Sequence, residues 1–240
     1  MTHIAETLLT HSIESFLSEE EIAVLHARMS EMTKSPLRAN YDEDRASTMH
    51  SVPGLTDNEV MAVFEPEGRL EIVDLPDKVT AILADATSRA MPQIRLGMPS
   101  ITGIRPWVYI EYRKGQHITA HVDNIAPDAA TWPRQIAGIS VVVSPPQGGG
   151  DFYVETTGAP ELWTPTAPAE DLGYLPDMRI AHEGSDFSSA WFRDMPRTRW
   201  SVDPPAGTAL IYGSQLTHGT NPVSAGVCRK FISWLIAEPQ

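Results

Sequence analysis

Cysteine is nearly missing from this chain of 240 residues, where Cys228 stands alone. One thiol excludes an intrachain disulfide and a cysteine-based zinc site. Its neighbours read as a strand with no base at hand, so an inert thiol is expected. Basic residues are also few, 18 Lys and Arg against 31 Asp and Glu, for a formal charge of −13. Nucleic-acid affinity comes mainly from clustered cations that displace counterions, so this balance argues against a DNA or RNA partner. No apolar run approaches the roughly 18 residues of a membrane span, and the start from Met1 to Glu6 lacks the basic and apolar stretches of a secretory leader. A cytoplasmic protein without membrane contact is expected. No G-x-G-x-x-G or P-loop cradle, internal repeat or low-complexity tract occurs.

What is present suits a packed core: 42% of residues are hydrophobic and 20% charged. A chain of this length buries roughly 70–75% of its unfolded surface, so a single domain over residues 1–240 is expected. Residues 1–100 carry the helical signals. Ser18 and Glu21 form a capping box, after which Ile22, Leu25, Met29 and Met32 recur at helical spacing. The span 37–66 reads as irregular connection, and Asp77 to Ala90 as a second helix with Val79, Ile82, Leu83 and Ala86 on one side. From Arg105 onward the pattern turns to short β-branched and aromatic runs between Gly, Pro and Asn clusters. Strands are expected at Trp107–Arg113, His117–Asp123, Ile136–Ser144, Asp151–Glu155, Arg199–Asp203, Gly207–Tyr212, His218–Pro222 and Cys228–Ala237. The expected fold is mostly β with flanking helices, an antiparallel double-sheet roll over residues 104–238. Between its halves, residues 156–198 hold five prolines and the aromatics Trp163, Tyr174, Phe187, Trp191 and Phe192. Such a long insertion is usually functional or disordered, and its aromatics favour packing, so it reads as a lid.

Three positions carry the chemistry. On a strand, His121 and Asp123 project from one face about 7 Å apart at the backbone, with Val122 turned away, a geometry that can pinch a metal ion. His218 follows the strand Gly207–Tyr212 and a turn at Gly213-Ser214. Two histidines and one carboxylate occupy one triangular face of an octahedral ion and leave three positions open, which suits non-haem Fe(II) better than zinc. The third is Arg229, with Phe231 and Ser233 on the same face by alternation. A guanidinium fork beside such a site is a natural anchor for the distal acid of a diacid cosubstrate. The plainer alternatives are a surface His and Asp near a turn, a loop histidine at 218, and an edge-strand arginine in solvent.

Together these residues resemble the iron(II)- and 2-oxoglutarate-dependent dioxygenases, in their prolyl-4-hydroxylase-like branch. The run from Tyr112 through Gly115 to His121 and Asp123 is similar to that branch's Tyr, Gly and H-x-D pattern. Arg134 before Ile136–Val143, then Gly148–Gly150 before Asp151-Phe152-Tyr153, is similar to its next two strands, and Phe16–Glu21 to its opening before the first helix. The resemblance implies a double-stranded β-helix (jelly roll, cupin-like), with His121, Asp123 and His218 on Fe(II). It also implies 2-oxoglutarate and O2 as cosubstrates, Arg229 and Tyr112 on the distal carboxylate of 2-oxoglutarate, and release of succinate and CO2. The branch places a lysine where Arg229 stands, though arginine is usual elsewhere in the superfamily. Related halogenases replace the aspartate by Gly or Ala; Asp123 is present, which points to hydroxylation.

For substrate, His117 shares parity with His121 and Asp123 and is expected to face the same cavity, with a packing or solvent role as the competing reading. Arg193, Arg197 and Arg199 cluster beside Trp191, Phe192 and Trp200, and Arg193, Arg197 and Trp191 are candidates to close over an anionic small molecule. Alternatively these arginines balance Asp186, Asp194 and Asp203. The reading is an oxygenase hydroxylating a C–H bond of an amino acid or an amino-acid derivative. Desaturation or cyclisation by the same class, an iron oxygenase without 2-oxoglutarate, and a non-catalytic β-roll binding module are the rivals.

Overall fold

The computed structural model describes residues 6–34, 52, 54–125, 128–163, 174 and 179–239. Helix α1 (Glu19–Met32) starts where the capping box predicts. The Glu21 N–H donates to Ser18 Oγ at 3.2 Å, and the Ser18 N–H donates to Glu21 Oε2 at 2.9 Å. Such a cap is worth about 1 kcal/mol. The helix lays Leu25 and Met29 into the core, with Ile22 and Met32 packed beside them.

Helix α2 (Asp57–Phe64) falls inside the span expected to be irregular; residues 37–51 and 53 of that span lie outside the described residues. A second capping box, Thr56 with Glu59, starts α2, and its last residue, Phe64, is buried. Helix α3 (Asp77–Gly97) overruns its expected end at Ala90 and continues through Pro92. An interior proline costs about 3 kcal/mol. Burial of Ala90 and Ile94 on the same face continues the helix regardless, a term of similar size.

The strands form two antiparallel sheets and a small ribbon. The larger sheet has β1 (Thr10–Ile13), β10 (Ala209–Gly213), β6 (Arg134–Ser144), β13 (Cys228–Ala237), β4 (Val108–Tyr112) and β2 (Leu70–Ile72) in that order, with β3 (Gly103–Ile104) also pairing β13. The smaller sheet runs β5 (Ile118–His121), β11 (Thr217–Thr220), β8 (Phe152–Thr156), β9 (Thr198–Val202). Strands β7 (Gly148–Gly149) and β12 (Val223–Ala225) make the ribbon. All eight expected strands are present, each end within two residues of its predicted place. The additional five are two to four residues long, too short to show an alternating pattern. Within the insertion, residues 164–173 and 175–178 are outside the described set; the rest includes helix α4 (Ala190–Asp194) and packs by its aromatics.

The larger sheet has two differently used faces. Tyr109, Ile139, Val141, Ile211, Phe231 and Leu235 pack against α1 and α3 in the main core. On β4 and β13 the alternate residues, Val108, Ile110 and Tyr112 with Lys230, Ile232 and Trp234, turn the other way, toward the smaller sheet. The space between the sheets is the jelly-roll interior, and the site lies there.

Candidate metal centre

His121 is the last residue of β5, and β11 places His218 directly opposite it in the cross-strand register. Their ring centroids are 4.5 Å apart. Asp123, just beyond the end of β5, brings Oδ1 to 3.4 Å from His121 Nε2 and 3.5 Å from His218 Nε2. All three side chains are buried, and one ligand atom from each lies within 4.8 Å of the others.

Backbone contacts decide which ring nitrogen faces that point. His121 Nδ1 lies 2.8 Å from the carbonyl oxygen of Thr119, and His218 Nδ1 lies 2.9 Å from that of Leu216. A carbonyl only accepts, so each Nδ1 carries the proton and donates, leaving the Nε2 lone pair directed at the aspartate. Burial pushes His218 down to about 4, which keeps it neutral at physiological pH. Gln135 Nε2 donates to Asp123 Oδ2 at 3.1 Å, so one carboxylate oxygen is engaged while the other faces the imidazoles. Phe64 meets the His121 ring edge-on at 5.5 Å, and Tyr212 packs on His218 at 4.4 Å. Two imidazole Nε2 atoms and a carboxylate oxygen on one side of an open space suit a divalent ion of the non-haem iron type.

The triad opens into a cavity of about 190 Å³ between the sheets. At its inner end Lys230, from β13, donates through Nζ to Thr220 Oγ1 at 2.9 Å and lies 5.0 Å from the centre of the Tyr112 ring. Burial, with a smaller push from Arg69, lowers its ammonium to about 8. Tyr112 Oη accepts from Arg69 Nη1 at 2.8 Å, which leaves the phenol proton available to another acceptor. Burial raises the Tyr112 phenol, so it stays protonated. Arg69 is itself paired with Glu65 at 2.9 Å and Glu71 at 2.7 Å. At the other end the lining includes Gln135, Trp234 and the exposed Arg105.

Of the residues singled out from sequence, His121, Asp123, His218 and Tyr112 meet in this cavity. Arg229 does not. It lies on the opposite face of β13 from Lys230, where its Nε donates to Glu111 Oε2 at 3.2 Å. The alternation that places Arg229 with Phe231 and Ser233 is real, but Phe231 belongs to the core against the helices, so that parity points away from the triad. His117, Arg193, Arg197 and Trp191 are likewise absent from the cavity lining. Strand β5 begins only at Ile118, so its alternation does not extend to His117, whose Nδ1 turns to the Gly115 carbonyl oxygen at 3.0 Å. Arg193 donates to the carbonyl oxygen of Phe187, and Trp191 packs edge-on against Phe192. Arg197 and Arg199 converge on Glu155, at 2.8 and 2.7 Å; the acid that balances them is Glu155 rather than Asp186, Asp194 or Asp203.

The cavity also holds residues the sequence reading passed over. Lys230 shares parity with Ile232 and Trp234, but apolar residues on both faces of β13 hide which parity points inward. Arg69 and Gln135 carry no motif, and only the folded chain brings them to Tyr112 and Asp123.

No family model and no curated protein matches the sequence. Solved structures do match in fold. A collagen prolyl hydroxylase of Paramecium bursaria chlorella virus 1, in complex with 2OG, aligns at a TM-score of 0.54 and 15% identity over 98% of this chain and 99% of that one. A prolyl hydroxylase of Trichoplax adhaerens, bound to a peptide fragment of a hypoxia-inducible factor, aligns at 0.57 and 12% identity over 95% and 83%. A non-haem α-ketoglutarate-dependent carbocyclase from nogalamycin biosynthesis aligns at 0.54 and 12% over 98% and 81%. The shared fold is the double-stranded β-helix.

Proposed function

We propose that this chain is an iron(II)- and 2-oxoglutarate-dependent oxygenase, a single domain over residues 1–240 that hydroxylates a C–H bond of a small molecule. His121, Asp123 and His218 hold the iron through Nε2, Oδ1 and Nε2. Lys230, with Thr220 and the phenol proton of Tyr112, takes the distal carboxylate of 2-oxoglutarate, the role the sequence had suggested for Arg229. The observation that carries the reading is one cavity with a two-imidazole, one-carboxylate face at one side and a buried ammonium at its inner end. Iron(II) with 2-oxoglutarate bound there supplies activation of O2, with succinate and CO2 as coproducts. The residues do the rest: the carbonyl-bound imidazoles fix the ligand lone pairs, Lys230 orients the cosubstrate, and Phe64, Phe152 and Ile232 keep water from the reacting carbon.

Two features favour an anionic substrate such as an amino acid or its acylated derivative. Arg105 has no hydrogen-bond or ion-pair partner for its guanidinium among the described residues and stands at the cavity's edge, with the half-buried Trp234 beside it. Retention of the Asp123 carboxylate favours hydroxylation over halogenation. A lone buried thiol, and no helix long and apolar enough to cross a membrane among the described residues, fit a cytoplasmic location.

The test is anaerobic titration of the metal-free protein with Fe(II) and 2-oxoglutarate, watching for the weak visible charge-transfer band of the chelate. A panel of free and N-acylated amino acids, with a prolyl peptide as comparator, is then read by succinate release. No band from the wild-type protein would favour a non-catalytic binding module. A band with succinate release only on the peptide would move the substrate from small molecule to polypeptide.

A further inference from the structure

Asp123 differs from the two histidines in what holds it. Each imidazole sits on a strand and is turned by a carbonyl of its own strand or the adjoining turn. Asp123 lies past the end of β5, and its carboxylate has two oxygens that a metal ion could take.

Gln135, near the start of β6, engages one of those oxygens. Its amide donates to Asp123 Oδ2, and its backbone carbonyl accepts from Asn124 Nδ2 at 2.9 Å, so one residue grips the aspartate and its neighbour. Asn124 is tied further, its N–H donating to the Ser214 carbonyl at 3.0 Å and its own carbonyl accepting from Gln215 Nε2. Gln215 Oε1 in turn accepts from the Ala181 N–H at 2.8 Å. Gln135, Asn124 and Gln215 are all buried, so these bonds act in a medium where an unmade one is costly. The donor is neutral. A lysine or arginine in its place would neutralise the charge that a divalent ion needs, whereas an amide fixes Oδ2 and leaves the carboxylate anionic.

We infer that Gln135 is a positioning residue for Asp123, holding Oδ2 so that Oδ1 is the oxygen presented to the metal. The inference rests on the iron reading of the site and adds to it a residue that acts on the metal through Asp123. A merely structural Gln135, satisfying a buried acid, would affect the stability of the metal-free chain and leave metal affinity alone.

The experiment is binding of Co(II) to the metal-free protein, followed by its visible bands and by competition with a chelator, together with melting of the metal-free forms. Gln135→Met keeps length without a donor, and Gln135→Glu keeps shape but turns the donor into an acceptor. Both are expected to bind Co(II) about 10–100-fold more weakly than wild type, the usual effect of losing an outer-sphere partner. Gln135→Asn, with the amide one methylene short, is expected to fall between. Wild-type Co(II) affinity in Gln135→Met would overturn the inference, whatever its melting temperature. If Gln135→Met does not fold, the same result from Gln135→Glu decides. Absence of Co(II) binding by the wild-type protein would instead strike the iron reading itself.

Discussion

Two regions of this molecule hold cations, acids and aromatic rings in close quarters, and they differ in what is left over. On the smaller sheet, Glu155 takes both Arg197 and Arg199, Arg199 lies 3.6 Å from the Tyr153 ring centre, and Arg197 rests on Phe192 at 4.6 Å. Most donors there meet acceptors within the chain, Arg197 Nη2 excepted, and both guanidinium groups are paired with Glu155. In the cavity, by contrast, two Nε2 atoms and a carboxylate oxygen face one point, and a buried ammonium has the Thr220 hydroxyl and the Tyr112 ring beside it and no carboxylate partner among the described residues. From composition the arginine cluster looks more like a binding site. The groups left facing open space make the cavity the functional candidate.

The comparison can be broken most directly at the triad. His218→Ala should weaken Fe(II) affinity by more than about 100-fold, because losses one layer further out already cost about 10–100-fold; equilibrium dialysis measures it. Lys230→Met should raise the dissociation constant for 2-oxoglutarate by about 100-fold, the scale of truncating one partner of a buried charged pair. Arg229→Ala should change it less than about threefold, its guanidinium being on the other face; calorimetric titration of both variants separates the two adjacent residues.

The arginine cluster gives the opposite result. Glu155→Gln strands two cations on a buried site and should lower folding stability by about 2 kcal/mol, a value reduced for the exposure of Arg199, with metal affinity unchanged. Urea melts and metal titration on the same sample check both halves.

The smallest effect is a pH dependence. Lys230 binds the anion as ammonium, and its folded-state value of about 8 lies below the ordinary lysine value of 10.5. In the free protein the charged fraction therefore falls from nearly full at pH 7 to about a tenth at pH 9. Affinity for 2-oxoglutarate should weaken about tenfold across that window, and Lys230→Arg should flatten the profile. The same lowered value means that the unfolded chain binds more protons between pH 8 and 10.5, so Lys230 destabilises the empty fold below that window and ceases to do so as pH rises through it.

The contrast between the regions also marks how far the sequence could be read. The eight strands of the roll announced themselves as β-branched and aromatic runs between turn residues, and Ser18 with Glu21 placed a helix start to the residue. His121, Asp123 and His218 could be found because a period of two and a turn sufficed to aim them. Arg229 and Lys230 could not be told apart, because β13 is central in its sheet and apolar on both sides, so hydrophobicity did not say which face looks inward. Helix α2 carried its own capping box at Thr56 and Glu59, a signal obscured by the prolines and glycines around it. Arg69 and Gln135 reach Tyr112 and Asp123, partners 43 and 12 residues away, contacts that no local pattern encodes.

Strand β5 has a last consequence. It is four residues long, sits at the edge of the smaller sheet, and meets β11 through an irregular register, yet it carries one of the two imidazoles. The main core around α1 and α3 lies behind the other sheet and does not depend on it. Peeling of this one edge would part the rings while most of the molecule stayed folded. Heat or denaturant should therefore part the two imidazoles before melting the protein, at a temperature that follows this four-residue edge strand rather than the bulk of the hydrophobic interior.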